Sequence, residues 1–519
     1  MIQPNIGVRS ARVRSWLLAS AGTLSLVLGG TAHAQNAGPG DMVNVPYDAR
    51  LPTSVLDPSI VVSPPNTPDG AVDTGVNGVG GMIIDQQNGF IGTCTGTLIN
   101  PRTVLFAAHC VNESPNGGTM NPWGYGTGEG QLPIGFGFQA NNNAAGNSAF
   151  GKWLYGVAGG PSYQTRVADY MYNVNQVLYN PDSVLLGEGN NFLQGDVALA
   201  SLDTPAANVP TWAILLSALP APDAIDDATG TGYHVTITGY GTTGTGPTGA
   251  TTPGGYRRRV AENYVGLLGS LDDIDIFTSG SPSGLPQNLY QTDFDSPGHS
   301  SSVDYNLFKD NALPNEGTTG PGDSGGPLIL DRAFAKQLVI AVLSGGSTFS
   351  GQRSGGYGTL SFYQPLYLFW DYIAANNPYR YVGAKAGDGA WTDPTHWVTK
   401  LDPAYNVLVD GQLVNGIPTT LGNGINGTSG KFGHICIQQP AFGVDDCLDI
   451  NTGIEYVDGQ PINTGSPQPQ QPGTLLPAAT LANGLPGASN FVPNNIDPNA
   501  ATQTNARYFD VTLSAAGTT

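Results

Sequence analysis

Basic residues are scarce in this sequence. Nineteen lysines and arginines stand against 39 acids, for a formal charge of −20. A chain of that sign repels phosphate backbones and anionic membrane surfaces, so nucleic-acid binding is set aside. Charged residues of both signs make up only 11%, whereas glycine alone occupies 73 of 519 positions. Few charges with abundant Gly, Thr, Ser and Asn predict short strands joined by turns rather than helices. Cysteine is limited to four residues, with no Cys-x-x-Cys pair and no His-rich spacing. That pattern offers no zinc site, and neither a metal nor a cofactor is expected. Beyond residue 34 no apolar run is long enough to cross a membrane as a helix.

The first 34 residues do carry an apolar run. Arg9, Arg12 and Arg14 precede the apolar stretch Trp16 to Leu28, and Ala32-His33-Ala34 is a small-x-small site. This order predicts an export signal cleaved before Gln35, leaving an extracellular or bacterial cell-surface protein. A membrane anchor would need a longer run. Losing three arginines and no acid takes the formal charge from −20 to −23. Four cysteines in an exported chain read as disulfides. Three pairings are open, of which Cys94 with Cys110 and Cys436 with Cys447 is the simplest.

Residues 35–73 are rich in Pro, Asn and Asp and read as an extended lead segment. From residue 74 to 382 short β-rich runs follow, among them Gly81–Asp85, Thr97–Asn100, Thr103–Phe106, Tyr233–Thr238, Leu328–Leu330 and Leu338–Leu343. Such runs with turn punctuation predict an all-β sandwich or barrel pair. The stretches Asn112–Asn147 and Thr242–Gly255 read as long surface loops. Pro365–Ala375 has apolar residues at helical spacing and predicts one helix. Residues 383–519 are a Gly-, Asn- and Pro-rich extension ending in a strand near Arg507–Ser514. That strand lacks an evident partner, which suggests the front part of a longer chain.

Three motifs carry chemistry. Gly322-Asp323-Ser324-Gly325-Gly326-Pro327 surrounds a serine with glycines. Such a turn exposes the hydroxyl and brings main-chain N–H groups to the oxyanion formed on attack. Phe106-Ala107-Ala108-His109-Cys110 places a histidine, suited to general-base work near neutrality, directly after an apolar strand. Gly195-Asp196-Val197-Ala198-Leu199-Ala200 opens an apolar strand with an aspartate, and a buried carboxylate needs a partner. Each alone has a bland reading: a Gly-rich turn, a structural histidine, a turn cap.

Together with Thr97–Arg102, these motifs resemble the chymotrypsin/trypsin-like serine proteases over roughly residues 74 to 382, in the order His, Asp, Ser. The resemblance implies two six-stranded antiparallel barrels and a C-terminal helix. It implies a triad of His109, Asp196 and Ser324 that hydrolyses polypeptide substrates through an acyl-enzyme, with Gly322 and Ser324 N–H groups as the oxyanion hole. The Cys94–Cys110 spacing fits that family's disulfide beside the histidine. Thr318 falls at the pocket base, and Ser344 and Gly346 fall on the substrate-pairing strand. Thr318 is not an acid, so a trypsin-like preference for Arg or Lys is not expected. Gly320 stands where the family has a pocket cysteine. Asp323 is expected to pair either with a new N-terminus near Val76–Gly80 or with another group.

The extension, with Gly387–Trp391 and Phe509–Ser514, resembles the passenger of bacterial autotransporters. That implies a β-helical stalk and an outer-membrane barrel further along a longer chain. The same residues also read as a linker or a small accessory β-domain. The competing function is a non-catalytic adhesin or binding module on a protease scaffold. Loss of a triad member would favour it, and none is lost.

Overall fold

The computed structural model describes residues 77–111, 132–144, 146–184, 193–252, 256–439, 444–457 and 460–461, with the backbone of short strands at 45–46, 61–62, 475–477 and 508–512. The expected export signal and most of the lead segment lie outside the described residues. Strand makes up 40% and helix 13%, so the fold is mostly β. Among the described residues no helix is long and apolar enough to cross a membrane.

Six strands close into an antiparallel barrel: β1 (Val79–Asp85), β2 (Phe90–Asn100), β3 (Thr103–Phe106), β4 (Ile134–Gly137), β5 (Met171–Tyr179) and β6 (Ala198–Leu202). Neighbours run β1-β2-β3-β6-β5-β4 and return to β1. Closure leaves no unpaired edge, and Leu98, Val104, Phe136, Tyr172 and Leu202 fill the interior.

Seven further strands follow: β7 (His234–Gly239), β8 (Arg259–Tyr264), β9 (Leu267–Gly269), β10 (Leu289–Thr292), β11 (Pro327–Leu330), β12 (Leu338–Ser347) and β13 (Leu360–Pro365). They pair antiparallel in the order β8-β7-β11-β12-β13-β10-β9. The two ends of this path are successive in the chain. Val265 N donates to Tyr233 O and Gly266 N to Gln291 O, each at 2.9 Å.

Several stretches differ from expectation, each for a physical reason. The end of Asn112–Asn147 is barrel strand β4, not loop. Ile134 and Phe136 alternate with Gly135 and Gly137, and the glycines sit where a Cβ would strike Trp153 or Asn142. Thr242–Gly255 holds a hairpin, Thr243–Thr245 with Gly249–Thr252. The helix expected from Pro365 is divided. Pro365 ends β13, a 3-10 turn spans Leu366–Leu368, and the α-helix is Trp370–Asn376. Two helices were not expected, Ala149–Tyr155 and Leu271–Ser279. The second begins with a reciprocal cap between Ser270 and Asp273.

Pairing continues across residue 382. Tyr405–Val409 runs parallel to Ile214–Leu215, and Phe432–Gln439 pairs with β9. Tyr405, Val407 and Phe432 belong to the main core. The strand Tyr508–Thr512 has a partner after all, running parallel to Tyr379–Ala384. In the lead segment, Val61–Val62 lies between Gly244–Thr245 and Gly317–Thr318.

Candidate active site

His109 follows β3 in a 3-10 turn, Ala108–Cys110, and the Cys94–Cys110 disulfide ties that turn to β2. Asp196 precedes β6, the strand paired with β3. Barrel closure therefore brings the two residues together from 87 positions apart. Asp196 Oδ1 accepts from His109 N at 2.7 Å, and Oδ2 lies 2.7 Å from His109 Nδ1. Both residues are buried. A carboxylate only accepts, so Nδ1 carries the ring proton and Nε2 is left as the basic atom.

Ser324 sits in the turn before β11, and the first barrel holds that turn in place. Thr95 N donates to Ser324 O at 2.8 Å and Thr95 Oγ1 to Gly322 O at 3.0 Å. Gly325 has φ +84° and lies against β2 and Ala107, where a Cβ would sit 2.9 Å from Ala107 N. The serine turn is thus pressed against the segment that carries His109. Gly322 also has positive φ, +96°, a conformation costly for any residue with a Cβ. Asp323 N is committed to Gly320 O at 3.0 Å. Among the described residues the flanking Gly322 N and Ser324 N donate to no acceptor. Two uncommitted N–H groups on one tight turn are what a developing oxyanion requires.

The Asp323 side chain is buried and turned away from this pair. It accepts from Gly320 N at 2.9 Å and Gly241 N at 2.8 Å. Burial holds its carboxyl well above the usual range. No cation among the described residues pairs with it, so two glycine amides are its partners. Gly239 and Gly241 leave the space it occupies, since a Cβ on either would strike its carboxyl.

Sequence reading missed the residues behind Asp196. Ser344 is buried rather than lining the cleft, and its Oγ donates to Asp196 Oδ2 at 2.6 Å. Gln364 Nε2 donates to Ser344 Oγ at 3.2 Å, and Gln287 Nε2 donates to Gln364 Oε1 at 2.7 Å. Gln287 Oε1 accepts from Gly195 N at 2.8 Å. The bonds run in one direction from the Gly195 amide to the Asp196 carboxylate. Nothing in the local sequence marks Gln287 or Gln364; once folding buries them, each amide needs partners, and the network supplies them.

A cleft beside Ser324 is lined by Gly346, with Thr319, Leu343, Gly345 and Leu360, and carries no charged side chain. Thr318 is buried, its Oγ1 3.0 Å from Ser361 Oγ, which is also 2.8 Å from Thr319 Oγ1. Both predicted disulfides are formed, Cys94–Cys110 and Cys436–Cys447. His109 converges with Cys94 and Cys110, but the bonded sulfurs offer no thiolate to a metal. No protein-family model matches the sequence, and no curated protein matches it.

Proposed function

We propose that the chain is an exported serine endopeptidase of chymotrypsin-like fold. The observation that carries this reading is the Asp196–His109 pair, buried and doubly hydrogen-bonded beside the turn that bears Ser324. In this reading Ser324 Oγ attacks the scissile carbonyl while His109 Nε2 takes its proton. Asp196 keeps the ring in the required tautomer and stabilises the imidazolium that forms. Gly322 N and Ser324 N receive the oxyanion. His109 then returns the proton to the leaving amine, and water releases the acyl group by the same route.

The chain passes directly from β8 to β9, the two ends of the second strand path, with Val265 N and Gly266 N bonded beside the neighbouring strands β7 and β10, and this supports a second barrel. Two disulfides support residence in an oxidising compartment. The uncharged cleft supports cleavage after a neutral side chain. A fluorophosphonate probe tests the central claim. The full chain is labelled at Ser324, and Ser324→Ala is not labelled although it melts like the parent. Absence of labelling in the folded parent, beside a labelled control protease, would sink the reading.

A further inference from the structure

The segment between β10 and Gly317–Thr318 carries acids at Asp293, Asp295, Asp304, Asp310 and Glu316. Folding buries all five, the inner three, Asp293, Asp295 and Asp310, to 2%, 1% and 3% exposure. Carboxylate oxygens of those three lie within 4.8 Å of one another.

The outer two are satisfied locally. Asp304 accepts from Ser296 N and Oγ at 2.6 and 2.8 Å and from Asn306 N at 3.1 Å. Glu316 accepts from Asp295 N and Leu313 N, both at 2.6 Å. The inner three are not satisfied. Neither oxygen of Asp295 meets a backbone or neutral side-chain donor, nor does Asp310 Oδ2; Asp295 and Asp310 instead face each other, a contact that only a shared proton or a cation makes favourable. Asp293 Oδ2 has one long contact, 3.3 Å from Phe308 N. His299 is a basic side chain against the five. Its Nδ1 lies 3.3 Å from Asp304 Oδ2 and 3.6 Å from Asp295 Oδ1. Lys309 Nζ pairs with the exposed Asp227 at 3.3 Å.

A buried carboxylate without donors is costly, and three facing each other repel. Either protons or a cation must relieve them. Burial and mutual repulsion hold Asp293 and Asp295 well above the usual range, and burial pushes Asp310 up to about 6. A hard cation does the same work at neutral pH. The inner donor set is oxygen alone, which suits calcium rather than zinc.

We propose that Asp293, Asp295 and Asp310 form a buried divalent-cation site of the calcium class. Its place in the fold gives it a task. Asn263 Nδ2 donates both to Asp293 O, at 2.6 Å, and to Gly317 O, at 3.0 Å. Gly358 N donates to Phe294 O at 2.7 Å. The ion therefore braces the segment that leads into Thr318 and the serine turn. This assignment stands apart from the reading of Ser324.

The test uses the full chain, stripped with EDTA and titrated with Tb3+ under tyrosine excitation. Tyr264 feels the Asp310 charge and is the nearby sensitising ring. The expected result is emission saturating at one ion, displaced by CaCl2 far more readily than by MgCl2, and a Tm that rises in CaCl2. Asp295→Asn and Asp310→Asn each weaken Tb3+ binding by more than about tenfold and lose the calcium shift in Tm. In EDTA the Asp295→Asn chain melts at or above the parent, because repulsion is relieved. A parent that neither sensitises Tb3+ nor responds to calcium overturns the proposal. So do variants that respond like the parent.

Discussion

Ser344 donates a 2.6 Å hydrogen bond to the same Asp196 oxygen that faces His109 Nδ1. That carboxylate therefore receives three donors, and the third comes from β12, backed by Gln364 and Gln287. The orientation of Asp196 is set by the second strand path as much as by the first barrel.

Gln364→Leu should cost about 1–3 kcal/mol of stability, because it strips a partner from both Ser344 and Gln287 in a buried setting. The rate of fluorophosphonate labelling should fall severalfold, and Gln364→Glu should not restore it at neutral pH. Denaturant melts and labelling time courses check both. An unchanged labelling rate in a destabilised chain would reduce the network to packing alone.

Gly325→Ala should abolish labelling and cost more than about 2 kcal/mol. Its φ of +84° disfavours alanine, and the new Cβ meets Ala107 N and the Thr95 carbonyl. Gly89→Ala is the control. It has positive φ, +93°, but open space around it, and should leave labelling intact.

Replacing Cys94 and Cys110 together by alanine should cost about 3 kcal/mol, as expected for a closed loop of this size. Labelling should suffer beyond the loss of stability, because Cys110 is joined to the turn of His109. A Tm series in rising dithiothreitol on a Cys436→Ala, Cys447→Ala chain, which keeps this bridge alone, should reproduce the drop.

Stability in EDTA should rise as pH falls from 7 to 5. Burial raises Asp402 to about 6, against partial relief from Asn100, Asn377 and Arg380, with Tyr405 nearby. The native state then binds more protons than the unfolded chain between about pH 4 and 6. Stability is highest with Asp402 protonated and is lost as pH rises through 6, by about 3 kcal/mol for a shift of that size. His234 and His299, also raised, act in the same direction at somewhat higher pH. Below about pH 4 the trend reverses, because Glu262, Asp304 and Asp331 are lowered by their histidine partners and lose those bonds on protonation. Thermal melts across pH 3–8 check the maximum. A monotonic rise from pH 5 to 7 would contradict it.

Legibility in the sequence followed locality. The end of β2 and the strands β3, β7, β11 and β12 were readable because their β-rich runs are contiguous in the chain. Strand β4 was hidden, because Gly135 and Gly137 look like loop residues until Trp153 and Asn142 are seen to need their space. His109, Asp196 and Ser324 stood out as motifs. Gln287 and Gln364 could not, since nothing local distinguishes a buried glutamine from a surface one. The acids from 293 to 316 are scattered over a loop, and only folding turns three of them toward each other.

The strands beyond residue 382 have a consequence for cooperativity. Tyr405 and Asn406 pair with Ile214 and Leu215, and Phe432 pairs with Leu268. Neither partner can loosen without exposing the other's backbone and apolar surface. The span from 79 to 457 is therefore expected to melt in one transition, and a chain cut near 382 would carry two raw edges rather than a finished fold.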